Sequence, residues 1–501
     1  MSADASGISS MVSRLALGWR EGHPEPAHEL IHYWKEKLGA TVEIKDIDDN
    51  LVRFQMDLGA IRLLGMEDVY CLLVGGAGSA AAQAARDFWA KVSDAGRMVM
   101  ILAGSDTLCR QIASSIPRGL CLILSSQDLE RILKDSDPRL QLKKCLWEQI
   151  PKSLLVPFDL EHPASGNMFV GRQDELGELH GSSSLAIAGP GRIGKTSLLH
   201  EYRRQLVRGR NPLASVTFFV DFYYCQDKTP DGVARFVAMK MNGTRRSADL
   251  FAGDLDHFLR SERVRLGRIP HLLLDEVDGV LGTAEAAFNT LGKAAREGLC
   301  RLILSGKGVL FTALNTDRST FGHRLDLIRP EPLTQLAVRE LALGPLRDLG
   351  FQLIEPERIA AEIHNLTGGL PQHVQFCGKR LTKLALQQPG LAISACVVED
   401  LRNDPATWQH LTGPLKDLDA GTRKLAIHLL KQQSAAFSAS ALQSACVQSG
   451  LNGITLERAT EIGDTLVILN FLSWERGRYR VANRVLREHL DEKLLAEGGA
   501  R

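Results

Sequence analysis

This chain of 501 residues lacks most of the features that would assign it to a membrane, a metal scaffold or an oxidising compartment. No run of about 18 apolar residues occurs, and the opening MSADASGISS has neither the charged n-region nor the apolar h-region of a secretory leader. The expectation is a soluble, cytoplasmic protein. The nine cysteines are scattered from Cys71 to Cys446 without a Cys-x-x-Cys pair, which speaks against a zinc knuckle, a redox dithiol or a disulfide framework and for buried reduced thiols. An excess of one charge is missing too. Lys and Arg number 60 against 59 Asp and Glu, a net charge of +1, so no global field draws the chain to nucleic acid and any basic surface must be local. Internal repeats of about 20 to 50 residues and low-complexity tracts are absent, which excludes solenoids and propellers.

What is present is length and a regular alternation of patterns. At roughly 150 residues per domain the chain suggests about three domains, each able to bury a core. Residues 1–150 read as an α/β domain, with AHELIHYWKEKLG and AAQAARDFWAKV at helical spacing and LVRFQM, VYCLLV, MVMILA and LCLILS as short strand-like runs. Prolines, glycine and serine in VPFDLEHPASGN mark 151–166 as a linker. Strand and helix alternate again over 167–330, predicting an α/β core on a parallel sheet. Residues 331–410 read as a helical lid, and 411–501 as three helices followed by two short strands.

The most specific motif runs from Leu185 to Tyr202, LAIAGPGRIGKTSLLHEY. An apolar strand breaks into Gly189-Pro-Gly191-Arg-Ile-Gly194-Lys195-Thr196, which fits GxxxxGK[ST] without a mismatch, and apolar residues at helical spacing follow. Glycines let successive backbone N–H groups face a phosphate, and the helix N-terminus adds its positive dipole end. Lys195 is placed to neutralise β- and γ-phosphate oxygens. The Thr196 hydroxyl is the candidate Mg²⁺ ligand, with Ser197 second by register.

A phosphate loop needs carboxylates across its cleft, and IPHLLLDEVDGV supplies them where a buried strand should end. Asp275 would hold Mg²⁺ through its water shell, and Glu276 would polarise the attacking water. Asp278 reads as a helix cap or a solvated acid. A further strand, CRLILSGKG, ends at Ser305 and Lys307, either of which is a candidate reporter of the γ-phosphate. In IHNLTGGLPQHVQF one helix ends at Gly368-Gly369 and the next starts at Pro371.

Taken together, NMFVGRQDEL, the phosphate loop, LLLDE, ILSGK, LIRPEPLTQLAVREL and GGLPQHV follow one another over about 200 residues. This series resembles the STAND class of AAA-related P-loop ATPases, in its archaeal-type branch. The resemblance implies ATP and Mg²⁺ as cofactors and a slow ATPase that governs a conformational or assembly state. It also implies that Val170, Gly171 and Pro371 bracket the adenine. Where the family often has a sensor arginine, this chain offers Lys307, a point charge without the bidentate fork.

The flanks carry the recognition. DAGTRKLAIHLLKQ, SASALQSACVQSG, TLERATEIGDTLVILNFL and SWERGRYRVA have the order of a winged helix, and Arg476, Arg478, Arg480 and Arg484 are candidate DNA-phosphate contacts on its wing. The third helix is acidic, with Glu457, Glu461 and Asp464 against Arg458, which favours packing or autoinhibition over base reading. The second half of the N-terminal domain resembles the closing part of restriction-endonuclease-like domains. Its expected Glu-x-Lys strand reads VYCLLVGGAGS instead, and the one nearby triplet, Glu43-Ile-Lys45, comes earlier. A degenerate binding domain is therefore expected. The leading function is an ATP-dependent molecular switch with a protein partner or self-association. The alternatives are a DNA-handling ATPase resembling origin-recognition or transposition ATPases, and an ATPase-gated nuclease.

Overall fold

The computed structural model describes residues 25–48, 51–58, 61–64, 66–74, 79–93, 97–117, 119–209, 211–242, 254–315, 325–388, 390–411, 420–431, 436–451, 453–468, 471–475 and 478–481. Its first sheet has the order β1-β2-β3-β4-β5, from β1 (Thr41–Asp48), β2 (Leu51–Asp57), β3 (Val69–Val74), β4 (Val99–Ala103) and β5 (Cys121–Leu124). The first three strands are antiparallel neighbours and the last three parallel ones. VMILA and CLIL are apolar throughout because both faces of the parallel part are covered. Trp34, Met100, Leu122 and Leu142 pack on one face, and Ala85, Ile101 and Leu108 on the other. Charge hides β1 in the sequence: TVEIKDID is an edge strand, where charged residues discourage further pairing. Glu43 and Lys45 stand exposed on it, ion-paired with each other at 2.9 Å.

The second sheet is wholly parallel. It consists of β6 (Leu185–Ala188), β7 (Thr217–Asp221), β8 (His271–Asp275), β9 (Arg301–Gly306) and β10 (Asp326–Ile328), in the order β10-β6-β9-β8-β7. This α/β core places β9 between the strand that enters the phosphate loop and the strand that ends in Asp275. Beside it, helices from Gln335 to Leu411 form a bundle around Leu341, Leu346, Ile363, Val374, Leu381 and Trp408.

The C-terminal part contains helices Ala420–Lys431, Ala439–Gln448 and Leu456–Ile468, then β11 (Leu472–Glu475) paired antiparallel with β12 (Arg478–Val481). Phe437 bridges to Tyr479 on β12, and Leu442, Leu466, Phe471 and Tyr479 share one core. Arg478 and Arg480 are exposed on β12, whereas Arg476 and Arg484 lie outside the described residues. Among the described residues no helix is long and apolar enough to cross a membrane. The cysteines are free and, apart from Cys109 and Cys396, buried.

The connection 151–166 is packed rather than slack. Leu155 belongs to the N-terminal core and Phe158 to the bundle core, where a Cβ at Gly378 would come within 2.4 Å of the Phe158 ring. The bundle returns the contact by placing Leu349 in the N-terminal core. Asp348 joins the two bodies: its carboxylate accepts the Arg62 backbone N–H at 2.9 Å and pairs with Lys143, and its carbonyl accepts the Trp147 indole N–H at 2.9 Å. Removing one partner of such a pair leaves an uncompensated, largely buried charge. Asp348→Ala is therefore expected to lower stability by about 3 kcal/mol, measured by denaturant unfolding, and a change near zero would show the pair to be a surface ornament.

Candidate functional site

The three strand ends that matter meet at one edge of the second sheet. Ala188 is in register with Gly306, and Leu274 with Leu304, so the loop after β6, the acids after β8 and the residues after β9 converge. Leu198, Leu199, Tyr202 and Leu206 bury one face of the helix Lys195–Arg208 against the sheet, which aims its N-terminus at the loop. Gly194 sits at φ 98°, a conformation only glycine adopts without strain. Arg192 is also left-handed, at φ 71°, and its guanidinium donates to the His410 carbonyl at 3.2 Å. From beneath, the buried Arg172 donates to the Ile193 carbonyl at 3.1 Å and pairs with Glu175 at 2.8 Å. Arg172 lies in the Val-Gly-Arg segment, yet nothing in its spacing announces that it braces the loop.

Lys195 is buried, and its Nζ donates to the carbonyls of Gly189 at 3.0 Å and Pro190 at 2.9 Å. Burial pulls its pKa down to about 8, against the attraction of Glu276 and with the repulsion of Lys307. Neutral carbonyls offset only part of the cost of burying an ammonium. A phosphate placed at the loop would supply the missing countercharge.

The Thr196 hydroxyl donates to Asp275 Oδ2 at 2.7 Å, and Asp275 Oδ1 accepts the Glu276 N–H at 3.0 Å. A hydroxyl and a carboxylate are the hard oxygen donors that suit Mg²⁺, which takes few protein ligands and fills its shell with water and phosphate oxygens. Among the described residues no group of three or more His, Cys, Asp or Glu side chains forms a dedicated metal cage. Glu276 has φ 52°, the kind of backbone strain that gathers at working sites. Burial raises its carboxyl pKa, while Lys307 and Lys195 oppose the shift. Asp278 is a cap across the fold: its carboxylate accepts the N–H groups of Lys307, Val309 and Leu310 at the start of the helix Gly308–Asn315. Ser305 is fully buried on β9, and its hydroxyl has no hydrogen-bond partner among the described residues.

A cavity of about 380 Å³ opens over the loop. Gly191, Arg192, Gly194, Lys195, Thr196 and Ser197 form its floor, Glu276 and Lys307 one wall, and Pro371, Gln372 and Gln375 the side toward the helical bundle. Its remaining wall is the segment 159–164, which composition alone marks only as a connection. Ser197 Oγ accepts the Ala164 N–H at 3.0 Å, and Gln372 donates to the Leu160 carbonyl at 2.7 Å, so this segment is strapped to both floor and bundle. Of the three residues expected around the adenine, Pro371 lines the cavity. Val170 packs in the bundle core, and the exposed Gly171 follows it at φ 68°, where a Cβ would come within 2.7 Å of Ala337 Cβ. Gly189 hydrogen-bonds the end of β9, its N–H reaching the Gly306 carbonyl at 3.3 Å.

The sheet order and the loop define a P-loop nucleotide-hydrolase core. Residues 178–314 match the family described as "AAA domain", and the chain thus carries an AAA-type P-loop ATPase domain. No curated protein matches the chain. Solved structures that resemble it include the Walker-type ATPase of Pyrococcus abyssi, 16% identical with a TM-score of 0.48, over 67% of this chain and 99% of that one. The ORC2 protein of Aeropyrum pernix, in ADPNP–ADP complexes, is 12% identical with a TM-score of 0.46, over 68% and 98%. RuvB of Thermotoga maritima, a Holliday junction branch migration motor, is 14% identical with a TM-score of 0.36, over 66% and 98%.

Lys195→Ala removes the cation at the centre of the loop. ATP affinity is expected to fall by about 100-fold or more, read by titration with labelled ATP, and unchanged affinity would remove the loop from the account.

Proposed function

We propose that this protein is an ATP-dependent molecular switch of the STAND type, hydrolysing ATP slowly to change its conformation or assembly. One observation carries the reading: the end of the cavity that Lys307 lines is continuous with the surface on which the C-terminal domain rests. Lys307 lines the cavity, and the helix that starts at Gly308 packs against the helix Leu456–Ile468, with Thr465 Cγ2 only 3.3 Å from the position of a Cβ on Gly308. Arg329, at the end of β10, lies over the Phe311 ring at 4.5 Å, and burial lowers its pKa while Asp464 of the third C-terminal helix opposes the shift. Asp464 in turn accepts the Tyr479 hydroxyl from β12 at 2.9 Å. Lys307, the reporter in this reading, sits one residue from the C-terminal domain's seat.

In this reading Lys195 and the loop N–H groups bind the phosphates, and Thr196 with Asp275 would hold Mg²⁺, which screens phosphate charge when bound. Glu276 accepts a proton from the attacking water, helped by its raised pKa, and Ser305 and Lys307 report whether a γ-phosphate is present. Pro371, with Val170 and Gly171 behind it, shapes the base end. ATP can favour an open or assembled form only through contacts that ADP lacks. Asp464 and Thr465 of the acidic third helix face the ATPase core, which supports packing or autoinhibition over base reading.

The DNA-handling alternative keeps one supporting feature, the exposed Arg478 and Arg480 on β12. Salt-sensitive duplex binding that is lost in Arg478→Ala with Arg480→Ala would move the assignment to it. The nuclease alternative has no acid on β3 to use. For the switch, Glu276→Gln keeps size and hydrogen bonding while removing the base. It is expected to bind ATP normally and to turn over about 100-fold more slowly, and equal turnover in wild type and variant would make Glu276 structural.

A further inference from the structure

Glu67, between β2 and β3 in the N-terminal domain, reaches out of its own core into the nucleotide-binding part of the chain. Its carboxylate accepts the Asn167 N–H at 2.8 Å and pairs with Arg204 of the phosphate-loop helix at 2.6 Å. Arg204 also pairs with Glu201 at 2.8 Å, and Glu201 accepts the Gly166 N–H at 3.3 Å. Gly166 has φ 55°, and a Cβ there would lie 1.9 Å from the Glu67 carboxylate, so the turn leaves room for this one group. The Asn167 side chain donates back to the Ile61 carbonyl, and Arg208 pairs with Asp57 at the end of β2 at 2.9 Å. Burial raises the Glu67 pKa and Arg204 opposes the rise.

Two residues before this turn the chain is the wall of the cavity. Ala164 is tied to Ser197, beside Thr196, and Leu160 to the lid residue Gln372. The strap 159–164 has one end fixed by the N-terminal domain and its length laid over the nucleotide cavity. We infer that Glu67 is a positioning residue for the bound nucleotide, through which the N-terminal domain sets how firmly the strap covers the cavity. The inference rests on the nucleotide reading above. Its chemical content is simple: a partner that displaces Glu67 from Gly166, Asn167 and Arg204 releases the strap and with it the nucleotide. The N-terminal domain thereby becomes the input side of the switch.

A domain that is merely loosened must be told apart from a strap that is freed. Asp348→Ala provides the contrast, since it undoes the docking of the same domain onto the bundle and touches no residue of the strap. The measurement is stopped-flow release of a fluorescent ADP analogue from the full chain, each variant first checked for folding by circular dichroism. Glu67→Ala is expected to release ADP at least about fivefold faster than wild type, and Glu67→Gln, which keeps an acceptor for Asn167, by less. Gly166→Ala attacks the same joint from the strap side and is expected to act in the same direction, which keeps the test open should Glu67→Ala fail to fold. Asp348→Ala is expected to leave release within about twofold of wild type. Wild-type release rates in the Glu67 and Gly166 variants would overturn the inference alone. Equal acceleration by Asp348→Ala would overturn it in favour of general loosening. A wild-type chain that binds no labelled ADP would overturn the nucleotide reading and this inference with it.

Discussion

The buried ammonium of Lys195 is the constraint around which the ATPase core is arranged. A cation held by two neutral carbonyls, its pKa drawn down to about 8, is tolerated only where the surrounding structure fixes it. That fixing explains features otherwise unrelated: the left-handed Gly194 and Arg192, the Arg172 brace under Ile193, and the dense packing of the helix Lys195–Arg208 on the sheet. The strand order adds the rest. With β9 between β6 and β8, the loop, the two acids and the buried Ser305 hydroxyl meet at one sheet edge.

From this centre three arms lead outward. The strap 159–164 leads to Glu67 and the N-terminal domain, Arg192 leads to His410 at the end of the bundle, and Lys307 leads through the helix Gly308–Asn315 to the C-terminal domain. Each consists of a few specific contacts rather than a broad apolar face. Such joints can be broken singly at modest cost, whereas the cores they connect cannot. The switch proposed above needs this division of stability.

The sequence made the phosphate loop, Asp275 and Glu276 legible because their chemistry demands particular residue types at fixed spacing. The parallel core was legible from LAIA, HLLLD and RLILSG, whose apolar runs have no other use than burial on two faces. Edge strands were harder. β1 is masked by its charge, and β10 is only three residues long. The strap escaped reading because proline, glycine and serine describe a connection's conformational freedom and say nothing about what it touches. Glu67 and Arg172 escaped for a related reason: each acts through a partner about 20 to 140 residues away, and such pairs leave no local period. Val170, assigned to the adenine by family resemblance, also packs in the bundle core, a second use that resemblance alone does not announce.

In the proposed switch the terminal phosphate controls the seat of the C-terminal domain. Hydrogen exchange of the segments 308–315 and 456–468 tests it most directly, compared between ADP-loaded and ATP-loaded chain with Glu276→Gln holding the ATP state. Slow exchange is expected in both segments with ADP, and exchange faster by about tenfold or more with ATP, as the contact at Gly308 and Thr465 opens. Identical protection in the two nucleotide states would contradict it.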